Sequence, residues 1–516
     1  GRDAPNESSG VPSNAPAVAV PQAVRGQLLD GAIGVLARLD DFDEQSAYRQ
    51  VFDRINQWSH SGLAWPAWTP DPLTGSLTGR VEEQFRPMLG DAAIGRSTFD
   101  FPSDVLWLRD QRWIHDIARS AGRDAVEDLD VADRLFRWTV RCLASVADPP
   151  ANPTQANPGS RWFSPGDVLL TGRASAPQRA WIFLELLRHA GLDGVLLATR
   201  DPETGETRPW IPALISGGEA YLFDTTYGVP IATADGGGVA TAKLASEDPA
   251  VLAAMDVPGR DYPVRTSAMK HLAVLVAASP ESLSRRMALV ESHLSGNASM
   301  HLAVDATALA ARAVDSLPAG SASLEQTRLW TFPLETIAAR SDGRAAAIQR
   351  AAVQELATMQ ITMAARDGAF GGRSEVRPLF AGRLRDFRGD LEGDRGAKAA
   401  YLLARPSSAR IRDLLQPVPD PQKGLVRGLY EQLKQDAAYF LGLIMLRENQ
   451  FEAAVDYLGR MTLEAHPDGR WADAARPALA DALLGLGRDA EARALLDSDE
   501  SPQRFGSRLR GSRIGR

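Results

Sequence analysis

Two hydrophobic rhythms run along the chain. Apolar residues recur at spacings of three and four through residues 24–39, 44–58, 104–121 and 125–146, which predicts four helices with one buried face each. Between them, residues 62–102 are rich in Pro, Gly and Trp and read as irregular. The pattern changes after residue 176. Residues 180–190 are apolar on nearly every side, which predicts a buried helix, and Gly191 supplies the left-handed stop. Three short runs follow at 195–199, 210–215 and 219–223, apolar or alternating and bounded by Asp, Gly and Pro, as strands are. From residue 266 helical spacing returns almost unbroken to the end, through 272–278, 283–294, 303–314 and 346–365.

A helix that opens on a small-residue turn and is followed by short strands can build a cysteine-nucleophile site. The unsatisfied N–H groups of the helix start lower a thiol pKa, and adjacent strands supply an imidazole and the carboxylate that orients it. On its residues the chain resembles the transglutaminase-like superfamily: Ala180, Leu186, Leu187, Arg188, Gly191 and Leu192 on the helix, the triplet RPW (208–210), and LFDTTYG (222–228). The resemblance covers residues 131–231 and implies a small papain-like α+β core. It implies that the nucleophile position is Ala176, the base position Arg208 and the carboxylate position Asp224.

The departures from the family govern the function. Alanine has no nucleophilic atom, and a guanidinium stays protonated and cannot act as a general base. No catalytic residue is therefore expected. The pocket candidates are Ser175, Arg208, Trp210 and Asp224, with Arg208 paired to Asp224 in a Trp-lined cleft, either as a structural ion pair or as an anchor for a carboxylate ligand. The single cysteine, Cys142, sits in an apolar helical run and reads as a core residue. A serine-based alternative built on Ser175, His189 and Asp224 fails on distance, because His189 lies about 20 Å along the same helix. Ser175 reads instead as the N-cap, with Pro177 in the first turn.

A repeat closes the chain. AAYFLGLIMLRENQFEAAVDYLGRM places Leu441, Gly442, Asn449, Phe451, Ala454 and Leu458 on the tetratricopeptide pattern. PALADALLGLGRDAEARALL repeats it through Leu479, Ala480, Gly487, Ala492 and Leu496, with Asp489 where Phe451 stands in the first copy. The resemblance implies stacked helical hairpins with a concave face for a protein or peptide; the plainer alternative is a bundle that buttresses the core.

Composition narrows this picture. The 516 residues, 44% of them apolar, suffice for about three domains. The fold class expected is α+β, a small transglutaminase-like core in a mostly helical chain. The expected layout is a tether at 1–22, a helical region at 23–125, the core at 126–245, helices at 266–425, repeats at 426–500 and a basic tail at 501–516 that reads as frayed. A net charge of −8 argues against a general nucleic-acid binder, and no apolar run reaches the ~20 residues of a membrane span. One cysteine permits no internal disulfide, and 7 histidines without paired spacing suggest no metal site; no cofactor is implied. The Pro/Ser/Asn-rich beginning suggests an exported or envelope-anchored bacterial protein, with the cytoplasm as the alternative. The expected function is a non-catalytic binding or scaffold protein with a protein or peptide partner in the cell envelope. The alternatives are a hydrolase or transferase using a non-cysteine mechanism, and a structural helical-repeat component of an envelope assembly.

Overall fold

The computed structural model describes residues 22–148, 158–364 and 375–515. Nearly all of the predicted tether and of the Pro/Asn-rich loop before the core lies outside these residues. The four early helices are present as Gln22–Ala37, Glu44–Ser59, Ser103–Ala121 and Asp128–Cys142. Residues 62–102 are less irregular than expected, since Gly79–Leu89 is helical despite Pro87. Its apolar face buries Phe85 and Leu89, which outweighs the internal proline.

The helix Ala176–His189 is set by its ends. Ser175 has extended backbone, and the Gln178 carboxamide accepts from Ser175 N–H at 2.9 Å and from its hydroxyl at 3.2 Å. At the other end Gly191, with φ +76°, donates to Arg188 O at 2.9 Å while Leu192 donates to Leu187 O at 2.9 Å, a Schellman stop.

The main sheet has six strands: β1 (Asp193–Arg200), β2 (Thr207–Ser216), β3 (Glu219–Asp224), β4 (Val229–Pro230), β5 (Leu272–Val276) and β6 (Arg328–Leu329). Their order is β4-β3-β2-β1-β5-β6, antiparallel except for β5 with β6. The segment at 272–278, expected as helix, is therefore a strand beside β1, and the core extends past residue 245 to β6. LAVLV is buried at every position between two neighbours, so it is apolar throughout; a run this short has no period to separate helix from strand.

Each sheet face carries its own core. Leu196, Ala198, Leu214 and Phe223 pack towards the helix Ala176–His189, with Phe223 and Phe183 ring centroids 5.2 Å apart. Val195, Leu197, Ile211, Ala213 and Leu222 face the second core, which holds Tyr262. A register shift between Leu197 and Ala198 pairs them with Ile211 and Pro209, so Trp210 is the extra residue of a bulge in β2.

After the sheet the chain ends in helices, among them Asp420–Arg447, Ala472–Gly485 and Asp489–Asp497. The Phe451 ring lies against Gly485, where a Cβ would come within 2.6 Å, so the phenylalanine fills the gap between successive hairpins. The basic end is not frayed. Arg504–Arg513 is a helix, and Gly506 lies so close to Tyr227 that a Cβ would fall 1.7 Å from its carbonyl oxygen. Gly506, Ser507 and Leu509 are buried there while Arg510 turns to Asp481 and Arg513 is exposed, a pattern obscured by the helix's low apolar content. No helix among the described residues is long and apolar enough to cross a membrane.

Candidate functional site: a sealed carboxylate and an arginine-lined groove

The helix Ala176–His189 does approach the end of β3. Arg179, in its first turns, donates to Thr225 O at 3.4 Å. The motif residues nevertheless fail to converge. Phe223 occupies the face towards the helix, so Asp224, next along the strand, turns to the opposite face. There Asp224 Oδ1 accepts from the N–H groups of Thr226 and Tyr227, each at 2.8 Å, and Oδ2 accepts from the Tyr262 hydroxyl at 2.8 Å. Trp210 Nε1 donates to that hydroxyl at 3.0 Å. Burial pushes the Asp224 carboxyl above the ordinary carboxylate range, against the pull of these three hydrogen bonds. Burial and the neighbouring carboxylate likewise raise Tyr262.

The expected Arg208–Asp224 pair is absent. Arg208 pairs with Glu206 at 3.0 Å, with 72% and 57% of the two side chains exposed. Cross-strand partners share a face, and Arg208 lies opposite Thr199 on the side away from the helix. The four pocket candidates thus fall in different settings. Ser175 is a buried cap, Arg208 an exposed strand end, and Trp210 and Asp224 members of one buried hydrogen-bonded chain. Ala176, half-buried, begins the helix on the other side of the sheet. Cys142 is a buried free thiol at the end of its helix, held above its usual pKa by burial. His189, excluded by distance, is buried at 2.8 Å from Gln111 Oε1.

A cavity lies instead beside the second helix of the core. The helix Asp128–Cys142 projects Arg134, Arg137 and Arg141 from one side. Arg137 and Arg141 line both a cavity of about 210 Å³ towards the C-terminal helices and a neighbouring one of about 530 Å³ towards Arg447 and Leu446. The two cavities adjoin at this pair, which lines both; together they are called the groove. None of the four sequence-predicted pocket residues lines it.

Arg179 closes the inner end of the smaller cavity. It is 1% exposed and places its N–H groups on neutral oxygens: Leu143 O at 2.6 and 2.9 Å, Val140 O at 3.2 Å, Thr225 O and the Gln503 side-chain oxygen at 2.7 Å. Burial lowers its guanidinium to about 10, which leaves it charged at neutral pH. The carbonyls of Val140 and Leu143 end the helix Asp128–Cys142, so Arg179 also sits at the negative pole of that helix. Arg141 and Arg510 meet on Asp481 from opposite walls, Arg141 at 3.0 Å. Tyr439 forms part of the floor, its ring stacked on Trp471 at 4.3 Å between centroids.

Sequence reading missed Arg179 and this groove. The available signal was RLFRWTVRC (134–142), whose arginines repeat at helical spacing, but nothing in the sequence places a wall opposite them. Among the described residues no cluster of His, Cys, Asp and Glu could hold a metal ion. In comparisons with known proteins, no family model, no curated protein and no solved structure matches the chain.

Proposed function

We propose that the chain is a non-catalytic binding protein. Its helix-and-sheet core, read as a degenerate transglutaminase-like scaffold, and its C-terminal helical hairpins, read as tetratricopeptide-like, together hold a protein partner. One observation carries this reading. Arginines concentrate along the groove at Arg134, Arg137 and Arg141, whereas the motif residues are buried in separate hydrogen-bond sets or stand exposed on a strand. A carboxylate 2% exposed that already accepts from two backbone N–H groups and a phenol is closed to an imidazole or a substrate.

The test places a photo-cross-linking residue at Arg137, and in parallel at Val353, which is 64% exposed and lines neither cavity. An adduct of defined mass from position 137 and none from position 353, in cells making the full chain, is the expected result. Equal labelling at both positions counts against the groove. Amide or ester turnover that survives purification and is lost in a folded Asp224→Asn variant would replace the binding reading with an enzymatic one.

A further inference from the structure

The charges of the groove are unevenly matched. Its acids are already paired: Asp473 with Arg476 at 2.6 Å, Glu448 with Lys398 at 2.5 Å, and Asp386 with Arg447. Arg141 and Arg510 share the single carboxylate of Asp481. Arg123 and Arg134, which line the larger cavity, have no carboxylate partner among the described residues, and the Arg134 guanidinium rests on Arg123 O. Arg137, itself 61% exposed, pairs only with half-buried Asp133 on its own helix, at 2.8 Å, a one-sided surface contact that a ligand exchanges at little cost. A chain of net charge −8 thus keeps a local excess of arginine in one concave place.

Asp481 displays the coordination available there: one carboxylate bridged by two guanidinium groups from facing helices. Apolar surface lies alongside, from half-buried Val140 on one wall and half-buried Ala474 and Pro477 on the other. We propose that the groove recognises an acidic peptide segment, with its carboxylates on Arg134, Arg137 and Arg141 and its apolar side chains against Val140 and Pro477. The inference rests on the binding reading above and gives that site its ligand chemistry.

Nucleic acid fits less well. The aromatic rings are already occupied, Tyr439 against Trp471 and Phe136 against Phe183 at 5.4 Å and Phe223 at 5.2 Å, so no free ring face is offered to a base.

The experiment uses the full chain and three fluorescent probes: the dodecapeptide (Glu-Leu-Glu-Glu)₃, its Gln-for-Glu counterpart, and a twelve-nucleotide oligothymidine. The acidic peptide should bind with an affinity that falls as salt rises. The Gln peptide should bind at least ~10-fold more weakly, as should the acidic peptide with an R134E/R137E variant. Because both substitutions are at exposed helix positions, the variant should melt like wild type; an R134Q/R137Q variant, smaller in charge change, should fall between them. Asp481→Asn should tighten binding a few-fold by releasing Arg141 and Arg510. Equal affinity for the two peptides, no effect of R134E/R137E, or tighter binding of the oligothymidine overturns the proposal. A cross-link at position 137 without acidic-peptide binding removes the ligand chemistry and leaves the binding reading standing. Loss of both removes both.

Discussion

Two polar sets flank the helix Ala176–His189, and they differ in how completely they are closed. On the far side of the sheet, Trp210, Tyr262 and Asp224 form a chain in which each donor finds an acceptor inside the protein. In the groove, arginines exceed the acids that could neutralise them and remain open to solvent. A buried polar group without a partner costs about 1–3 kcal/mol, so the first arrangement is what folding alone selects. An open excess of like charge gains nothing from folding. The closed set supports the fold, and the open set is where binding is to be sought.

Arg179 joins the two regions, and removing it should have the largest effect. Arg179→Met keeps much of the side-chain length but leaves Leu143 O, Val140 O and the Gln503 side chain without their donor. A loss of about 3–5 kcal/mol in urea unfolding is expected. The C-terminal helix should also loosen first, seen as faster amide exchange over 504–513, because Gln503 is one of its ties to the core. A loss under about 1 kcal/mol would mean that the buried cation is not what fastens this segment.

The far end of the same helix gives the next effect, and it depends on pH. His115 and His189 pack edge to face with centroids 5.8 Å apart. Burial, then the neighbouring arginines Arg112 and Arg119, lowers His115 to about 4, and burial lowers His189 strongly as well. With folded pKa values below the unfolded value near 6.5, the unfolded chain takes up protons first as the pH falls. Stability should be unaffected above about pH 7 and decline between roughly 6.5 and 4, by up to about 3 kcal/mol from His115 alone. His115→Gln should flatten that decline in a series of melting curves. An unchanged slope would place the acid sensitivity elsewhere.

These contrasts also mark what was legible in the sequence. The helices at 24–39, 44–58 and 104–121 are spelled out by local spacing, and the Ser175 cap and Gly191 stop are local too. The face of Asp224 is not local. It depends on Phe223 being the residue that meets Phe183, and on Tyr262 arriving from a loop almost forty positions later to donate to the carboxylate. A motif fixes the order of residues along a strand but not which of two alternating faces packs on the helix. The strand at 272–276 was hidden for a related reason, since burial on both faces erases the period. The groove is the least legible feature, because its walls come from helices more than three hundred residues apart in sequence.

Within the closed set, Asp224→Asn should cost less than either change above. The amide oxygen can still accept from Thr226 and Tyr227, while the amide nitrogen now faces the Tyr262 hydroxyl, which already accepts from Trp210. One hydrogen bond is lost and one donor is crowded, worth about 1–2 kcal/mol in chemical unfolding. Tyr262→Phe should give a similar loss, and the double variant should lose less than the sum, since both remove the same contact. Strict additivity would show that the two residues do not act as a pair.

The smallest effect should come from the residue that the motif placed at the general-base position. Arg208 reaches only Glu206, across an exposed pair whose attraction is screened by water and salt. Had it paired with buried Asp224, Arg208→Ala would leave an uncompensated charge in the core and unfold the chain at markedly lower denaturant. With Asp224 held by Tyr262 and two backbone N–H groups instead, Arg208→Ala should leave the unfolding midpoint where it was, both in low salt and in 1 M NaCl. The double variant with Glu206→Ala should match either single one. A clear drop in midpoint that persists when Glu206 is also removed would mean that Arg208 reaches a buried partner after all, and it would reopen the cleft that the sheet's alternation closes.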